Sequence, residues 1–277
     1  MSGERIETRL AVLGARRMHD ADVRRFRALY DTKADYVNRR DSSSLEARQL
    51  LLEVQYFKIP NLLAVLPEGF IYQSVAEIGC GTGELIASFP ACAASTSPLV
   101  REGFDISPLN IEAAAKRYPN VKFTAEPMNG GEPVDLLILS DILEHVPNDG
   151  EFLADAAAKA RIVLLNIPLE DNWLNRNRRY GADDPSGHLR RYSIEDAMSL
   201  ISGSGLTVLF WRRVWSHESP FESRRLALRK SLLGAASSGS LPVRLAKAAT
   251  RSTARTLPSI GHWLFPSNLF VSASVRS

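Results

Sequence analysis

The feature that most limits how this chain can fold is a rhythm. From Ile71 onward, short runs rich in Val, Ile and Leu alternate with segments of helical periodicity. The runs at 74–78, 100–104, 121–124, 134–139, 162–167 and 206–211 read as strands, and 83–89, 108–118, 149–160 and 194–202 read as the helices between them. Strands this apolar are buried on both faces, which argues for a parallel sheet covered by helices. Right-handed crossovers then give a doubly wound α/β sandwich. Ser107 followed by Pro108 marks one helix start, because Ser can cap and Pro fits the first helical position. A last apolar run, 269–275, is expected to complete a mostly parallel sheet of seven strands.

Two segments fall outside the rhythm. Residues 1–70 read as a helical cap, with Val23, Phe26, Ala28 and Tyr30 suggesting one face and a denser apolar pattern over 45–66. Asp41 to Ser44 supply caps for the second helix, Pro60 is expected to break or kink it, and Pro67-Glu-Gly69 ends the region. The main domain then spans 71–277, interrupted at about 215–266 by a helical, basic insertion.

A chain of 277 residues can bury a substantial core, and a net charge of +3 does not by itself imply nucleic-acid binding. Two cysteines, Cys80 and Cys92, are too few for a disulfide framework and point to reduced thiols in the cytoplasm. The first 27 residues are charged throughout, and no run of about 18 apolar residues occurs. A soluble cytoplasmic protein is expected, one still able to touch a membrane surface.

The strongest local signal is Val75-Ala-Glu-Ile-Gly-Cys-Gly-Thr-Gly83, a strand running into a glycine turn and then a helix. Gly79, Gly81 and Gly83 let the backbone turn sharply and approach a ligand, and helix N-terminal amides beside the turn favour an anionic group. A dinucleotide fingerprint wants a third glycine at position 84, where this chain has Glu84, a poor neighbour for a pyrophosphate. Asp105, at the end of the next strand, can accept hydrogen bonds from a ribose diol.

These residues resemble the class I S-adenosylmethionine-dependent methyltransferases. Glu77-Ile-Gly-Cys-Gly-Thr-Gly83 is similar to the family's first motif. By that resemblance the loop, with Gly79, Cys80, Gly81 and Gly83, wraps the methionine part of S-adenosylmethionine, while Glu77 orients it from beneath. Asp105 then holds the ribose, Ile106 lies against adenine, and Glu126 to Met128 fall where the adenine amine and ring are contacted. Asp135-Leu-Leu-Ile-Leu-Ser-Asp-Ile-Leu-Glu-His-Val146 resembles the fourth-strand motif of the branch containing ubiquinone-biosynthesis enzymes, which implies that Ser140, Asp141 and Ile142 line the methyl-donor pocket. The resemblance spans about 71–214 and implies a Rossmann-like methyltransferase fold.

Methyl transfer from a sulfonium is an in-line displacement, helped mostly by positioning in a dry site, and a base is needed only where the acceptor must lose a proton. His145 and His188 are the candidate bases, each with a structural alternative: His145 pinning the turn after the fourth strand, His188 belonging to the lead-in to a helix capped by Ser193. Asp141 with Asp171 and Asn172 invites a Mg²⁺ reading, but the spacing past the fifth strand is strained, so no metal is expected. The fourth strand lacks the Asn/Asp-Pro-Pro-aromatic motif of nucleobase amine methylation. Between Arg224 and Ile260 lie eight basic residues, interleaved with leucines and no acid. That pattern suits a solvated lid or peripheral contact with an anionic membrane, and RNA contact less. Tyr30, Tyr36, Tyr56 and Phe57 are candidates to line a lid formed by the N-terminal helices. The expected activity is O-methylation of a small metabolite, sugar or lipid-linked saccharide. A nicotinamide-dependent oxidoreductase and a non-catalytic S-adenosylmethionine-binding scaffold are the alternatives.

Overall fold

The computed structural model describes residues 20–128, 132–181, 184–215, 219–233 and 257–275. Its centre is a seven-stranded sheet in the order β3-β2-β1-β4-β5-β7-β6, formed by β1 (Ser74–Ile78), β2 (Val100–Phe104), β3 (Lys122–Thr124), β4 (Val134–Ser140), β5 (Ala160–Leu169), β6 (Leu206–Val214) and β7 (Ser267–Val275). Strands β1 to β5 pair in parallel, and β7 inserts antiparallel between β5 and β6. The strand order reverses direction at β1 and β4, the crevice where ligands bind in open parallel sheets.

Alternation along β4 shows how the sheet divides its core. Leu137 and Leu139 face one apolar layer with Leu153, Ala156, Ala197 and Ile201, while Leu136 and Ile138 face another with Val54, Phe57, Leu62 and Ile86. The first layer is supplied by α7 (Asp149–Ala157) and α8 (Ile194–Gly203). The second is supplied by α3 (Leu45–Glu53), α4 (Ile59–Leu63) and α5 (Glu84–Ser88). All of these strand residues are at most 1% exposed, so a polar substitution at any of them would bury an unpaired group.

The expected caps form. Ser44 accepts from the amide of Ala47, Ser107 opens α6 (Pro108–Arg117) by accepting from Asn110, and Ser193 makes a reciprocal capping box with Asp196. Pro60 does not break its helix. The five residues before α4, Val54–Lys58, take a π-helical turn, which relieves the carbonyl one turn earlier of a proline that cannot donate to it.

The N-terminal helices α1 (Asp20–Thr32) and α2 (Ala34–Arg39) lie over the C-terminal end of β2. Arg27 donates to the carbonyl of Ile106, Ser107 donates to Asp31, and Arg40 reaches both Asp31 and Asn110. The inner face of α1 carries Phe26, which is buried, and Tyr30, which stands against His145, but Ala28 of the expected face is exposed and Leu29 instead lies against Gly187. Glu84 explains the rest of the docking. It is buried, accepts from Thr82 and pairs with Arg117, whose other nitrogen donates to the carbonyls of Arg39 and Arg40.

Of the basic segment, α9 (Pro220–Leu233) is described. Arg224 lies over the Tyr56 ring at 3.9 Å and Arg225 pairs with Glu222, while Leu226, Leu232 and Leu233 stay exposed. Arg244, Lys247, Arg251 and Arg255 lie outside the described residues. Helix α10 (Pro258–Leu264) leads into β7. Among the described residues no helix is long and apolar enough to cross a membrane, and both cysteines are free thiols.

Candidate functional site

At the C-terminal end of β1 the chain turns through Gly79, Gly81 and Gly83, all at positive φ. Gly79 and Cys80 donate to the carbonyl of Phe104, which ties the turn to β2. A side chain at Gly79 would collide with Ile142, whereas one at Gly81 would meet nothing within 4 Å. The bare face of Gly81 therefore opens onto free space, while its neighbours are packed from behind. The Cys80 thiol belongs to that packing: it is 6% exposed and held against Gly103, and burial raises its pKa well above the ordinary thiol value.

Asp105 faces this turn. One oxygen accepts from the amide of Gly81 at 2.8 Å, and the other accepts from Ser107 and Asn110. A carboxylate offers about four lone-pair positions, so three are engaged and a hydroxyl can take the fourth or displace Gly81. Burial raises its pKa against the pull of these donors. Glu77 sits beneath the turn and accepts from the amide of Ile86 at 3.0 Å. Burial pushes its carboxyl up to about 8, with Lys58 only partly offsetting it. Ile106 is half-buried, with its carbonyl clamped by Arg27. Glu126 is exposed beyond β3, and Met128 is buried in the first apolar layer with Phe104.

After β4 the polypeptide passes through Asp141, the only non-glycine residue at positive φ among those described. Its carboxylate meets Lys58 at 2.7 Å and accepts from Ser140 and Asn166, and Asn268 in turn donates to Asn166. This network joins the helical segment 45–63 to β4, β5 and β7. Burial opposes charge on both partners, but each stabilises the other, so the Lys58 pKa is raised and that of Asp141 lowered. A lysine already occupies the Asp141 carboxylate. Asp171 pairs with Arg191 and Asn172 caps its own turn by accepting from Asn175, so the three residues considered for Mg²⁺ do not converge.

His145 and His188, 43 residues apart in sequence, come together here with ring centroids 4.7 Å apart, edge to face. The Nδ1 of His145 faces the carbonyl of Gly187 at 3.0 Å and must carry the proton there. The Nδ1 of His188 faces Glu170 at 2.7 Å and is likewise the donor. In the neutral form of each ring, Nε2 is then the lone-pair acceptor. Burial, then the neighbouring His188, lowers the His145 pKa to about 4. Glu144 lies beside them, an oxygen 3.8 Å from Nε2 of His145, and is 1% exposed with neither side-chain oxygen hydrogen-bonded. Burial, Asp141 and Glu170 raise its pKa well above the usual range. One ligand atom from each of Glu144, His145 and His188 lies within 4.8 Å of the others, a set with the chemistry to hold a transition metal.

Aromatic rings of the cap close this group. Phe26 and Tyr30 stand edge-on to His145 at 6.3 and 6.1 Å, and Tyr36 stands edge-on to Tyr30 at 4.9 Å. Burial above all keeps the Tyr30 phenol protonated, its pKa raised well above the ordinary value. Tyr56 and Phe57 take no part: Tyr56 lies under Arg224, and Phe57 packs on Phe270 in the core.

Three residues of this group escaped the reading of the sequence. Glu144 stood in plain view inside the Leu-Glu-His-Val motif. Glu170 was hidden because β5 runs to Leu169, two residues past the expected end. Lys58 read as one more polar position on an amphipathic helix.

Residues 39–209 match the family described as a methyltransferase domain. The magnesium protoporphyrin IX methyltransferase of Synechocystis PCC 6803, solved with bound SAM, shares 14% identity at a TM-score of 0.52, over 92% of this chain and 97% of that one. A cyclopropane synthase from Mycobacterium tuberculosis shares 18% identity at a TM-score of 0.54, over 94% of this chain and 99% of that one. No curated protein sequence matches. These structural likenesses establish the fold, and the family match removes the nicotinamide-dependent alternative that Glu84 already disfavoured.

Proposed function

The chain belongs to the class I S-adenosylmethionine-dependent methyltransferases, and on that premise we propose that it methylates a hydroxyl oxygen of a small or lipid-linked saccharide acceptor. The carrying observation is the group formed by Glu144, His145 and His188. It offers two imidazole nitrogens and an unpartnered carboxyl, which burial keeps protonated and whose carbonyl oxygen can still accept, in a buried setting. Such a group suits a ligand that donates hydrogen bonds and must give up a proton.

The residues around the turn fit the cofactor. Gly81 leaves backbone space, Asp105 retains acceptor capacity for a ribose hydroxyl, and Glu77 is a buried carboxyl that a ligand ammonium would complement. In this reading Gly79, Cys80 (through its backbone), Gly81 and Gly83 hold the methionine end. Ile106, Glu126 and Met128 define the adenine side, and Ser140, Asp141 and Ile142 form the floor. Bound there, S-adenosylmethionine supplies an electrophilic methyl group on a sulfonium.

The chain's own part is to bind, dry and deprotonate the acceptor. Nε2 of His188 takes the hydroxyl proton, and Glu170, fixed by Arg178 at 2.6 Å, stabilises the imidazolium that results. Glu144 accepts a second hydroxyl and orients the sugar. Tyr30 and Phe26 exclude water.

The test is labelled-methyl transfer to soluble saccharides and to purified lipid-linked glycans. His188→Gln should lower kcat about 100-fold or more with cofactor affinity unchanged. Transfer only to RNA or protein would refute the acceptor class, and no transfer to any acceptor would favour a binding scaffold. A second reading rests on the 4.8 Å convergence of Glu144, His145 and His188: a divalent cation there would acidify the hydroxyl instead. Turnover insensitive to chelators excludes it.

A further inference from the structure

Where β5 ends and β7 begins, two segments meet on the surface. One is the 3₁₀ turn Trp173–Asn175, and the other is α10 with Leu257 just before it. Leu169 pairs with Ser267, so both segments sit at the end of the sheet that carries Glu170 and the histidines. Trp173, Leu174, Leu257, Ile260 and Trp263 are 41–60% exposed there, with the two indole rings 6.3 Å apart. The guanidinium of Arg176 lies 3.7 Å over the Trp173 ring, and Arg179 is exposed close by in sequence. The charge here is mostly basic: 172–181 holds Arg176 and Arg179, with Arg178 paired to Glu170 and Asp184. Residues 257–275 hold His262 and no acid, and the adjoining Asp171 is paired with Arg191.

We propose that this surface docks on an anionic lipid bilayer, with Trp173 and Trp263 at the headgroup boundary and Arg176 and Arg179 toward lipid phosphates. Indoles prefer that boundary because they combine an apolar body with one N–H donor. Leu174, Leu257 and Ile260 supply apolar area for shallow burial, and the arginines supply attraction to anionic headgroups. The charge pattern argues against a second copy as the occupant. A two-fold interface would set Arg176 and Arg179 against their own copies, opposing like charges, because the nearest exposed acid, Asp171, is already paired with Arg191. The location places the bilayer beside the acceptor side of the sheet, so a lipid-linked substrate would reach the histidines without leaving the membrane. The docking does not depend on that substrate.

Vesicle co-sedimentation of the full chain tests it, using phosphatidylcholine vesicles with and without phosphatidylglycerol. The wild type should pellet with the anionic vesicles, less so as salt is raised. Trp173→Ser/Trp263→Ser should lose about tenfold or more in partitioning, and Arg176→Gln/Arg179→Gln should flatten the salt dependence. Quenching of tryptophan emission by lipids brominated along the acyl chain should be strong in the wild type and largely lost in the tryptophan variant. Binding of S-adenosylhomocysteine, read separately, confirms that each variant is folded. The proposal is overturned by no pelleting with anionic vesicles. It is equally overturned by undiminished pelleting of the tryptophan variant, or by a concentration-dependent dimer that the same variant abolishes, which would assign the surface to a protein contact.

Discussion

Alanine at two glycines of the turn should separate binding from stability, because the two positions face different surroundings. Gly81 has φ +54 and open space beside it, so alanine there meets only the left-handed backbone penalty, about 1–2 kcal/mol. At about 2–4 °C per kcal/mol for a chain of this size, melting should fall by roughly 2–8 °C. Gly83 has φ +88, and its added methyl would come within 2.7 and 2.9 Å of the Phe123 ring and 3.2 Å of the Ala114 Cβ. Overpacking adds about 1–3 kcal/mol to the backbone term, so Gly83→Ala should be the less stable protein. Affinity should rank the other way. The methyl of Gly81→Ala enters the space left for the ligand and should weaken S-adenosylhomocysteine by about tenfold or more, which is about 1.4 kcal/mol. That of Gly83→Ala points into the core and should cost less per folded molecule. Thermal melts and calorimetric titration of both variants decide it. A Gly81→Ala protein with wild-type affinity would show that the open face of the turn is not where the cofactor lies.

Three further outcomes follow from buried charges. Glu84→Leu strands the Arg117 guanidinium beneath the cap and should cost about 3–5 kcal/mol, whereas Glu84→Leu/Arg117→Leu should cost less than the sum of the single changes; additive losses in chemical denaturation would contradict the pairing. Glu77 has its pKa raised from 4.5 to about 8, so the native state binds the extra proton between those values, and stability should decline as pH rises through that window and level off above it. A ligand ammonium beside Glu77 reverses the preference, so cofactor binding at pH 7 should release up to about one proton. Titration in two buffers of unlike ionisation enthalpy measures that number, and zero release would mean that the ammonium sits elsewhere.

The strand–helix rhythm made the sheet legible because each signal was local. β1 and β2 form where their apolar runs stand, and the caps at Ser107 and Ser193 form as their sequences require. The glycine turn and Asp105 were legible for the same reason: the conformations belong to the residues themselves. What the sequence hid was pairing across distance. Pro60 marked a break, yet a π-helical turn absorbed it and kept Val54 and Phe57 buried in the core. Glu84 read only as a misfit for a pyrophosphate, while its reason for burial, Arg117, lies 33 positions later. His145 and His188 were each visible but not their meeting, and Glu170 became visible only once β5 was seen to continue past Ile167.

Isothermal titration of S-adenosylhomocysteine into the wild type and into Asp105→Ala probes the central claim most directly. The wild type should bind one equivalent, and the variant should bind more weakly by about 1–3 kcal/mol while melting as a folded protein. Absence of heat with the wild type, or equal affinity in the two proteins, would contradict the placement of the cofactor between the glycine turn and Asp105.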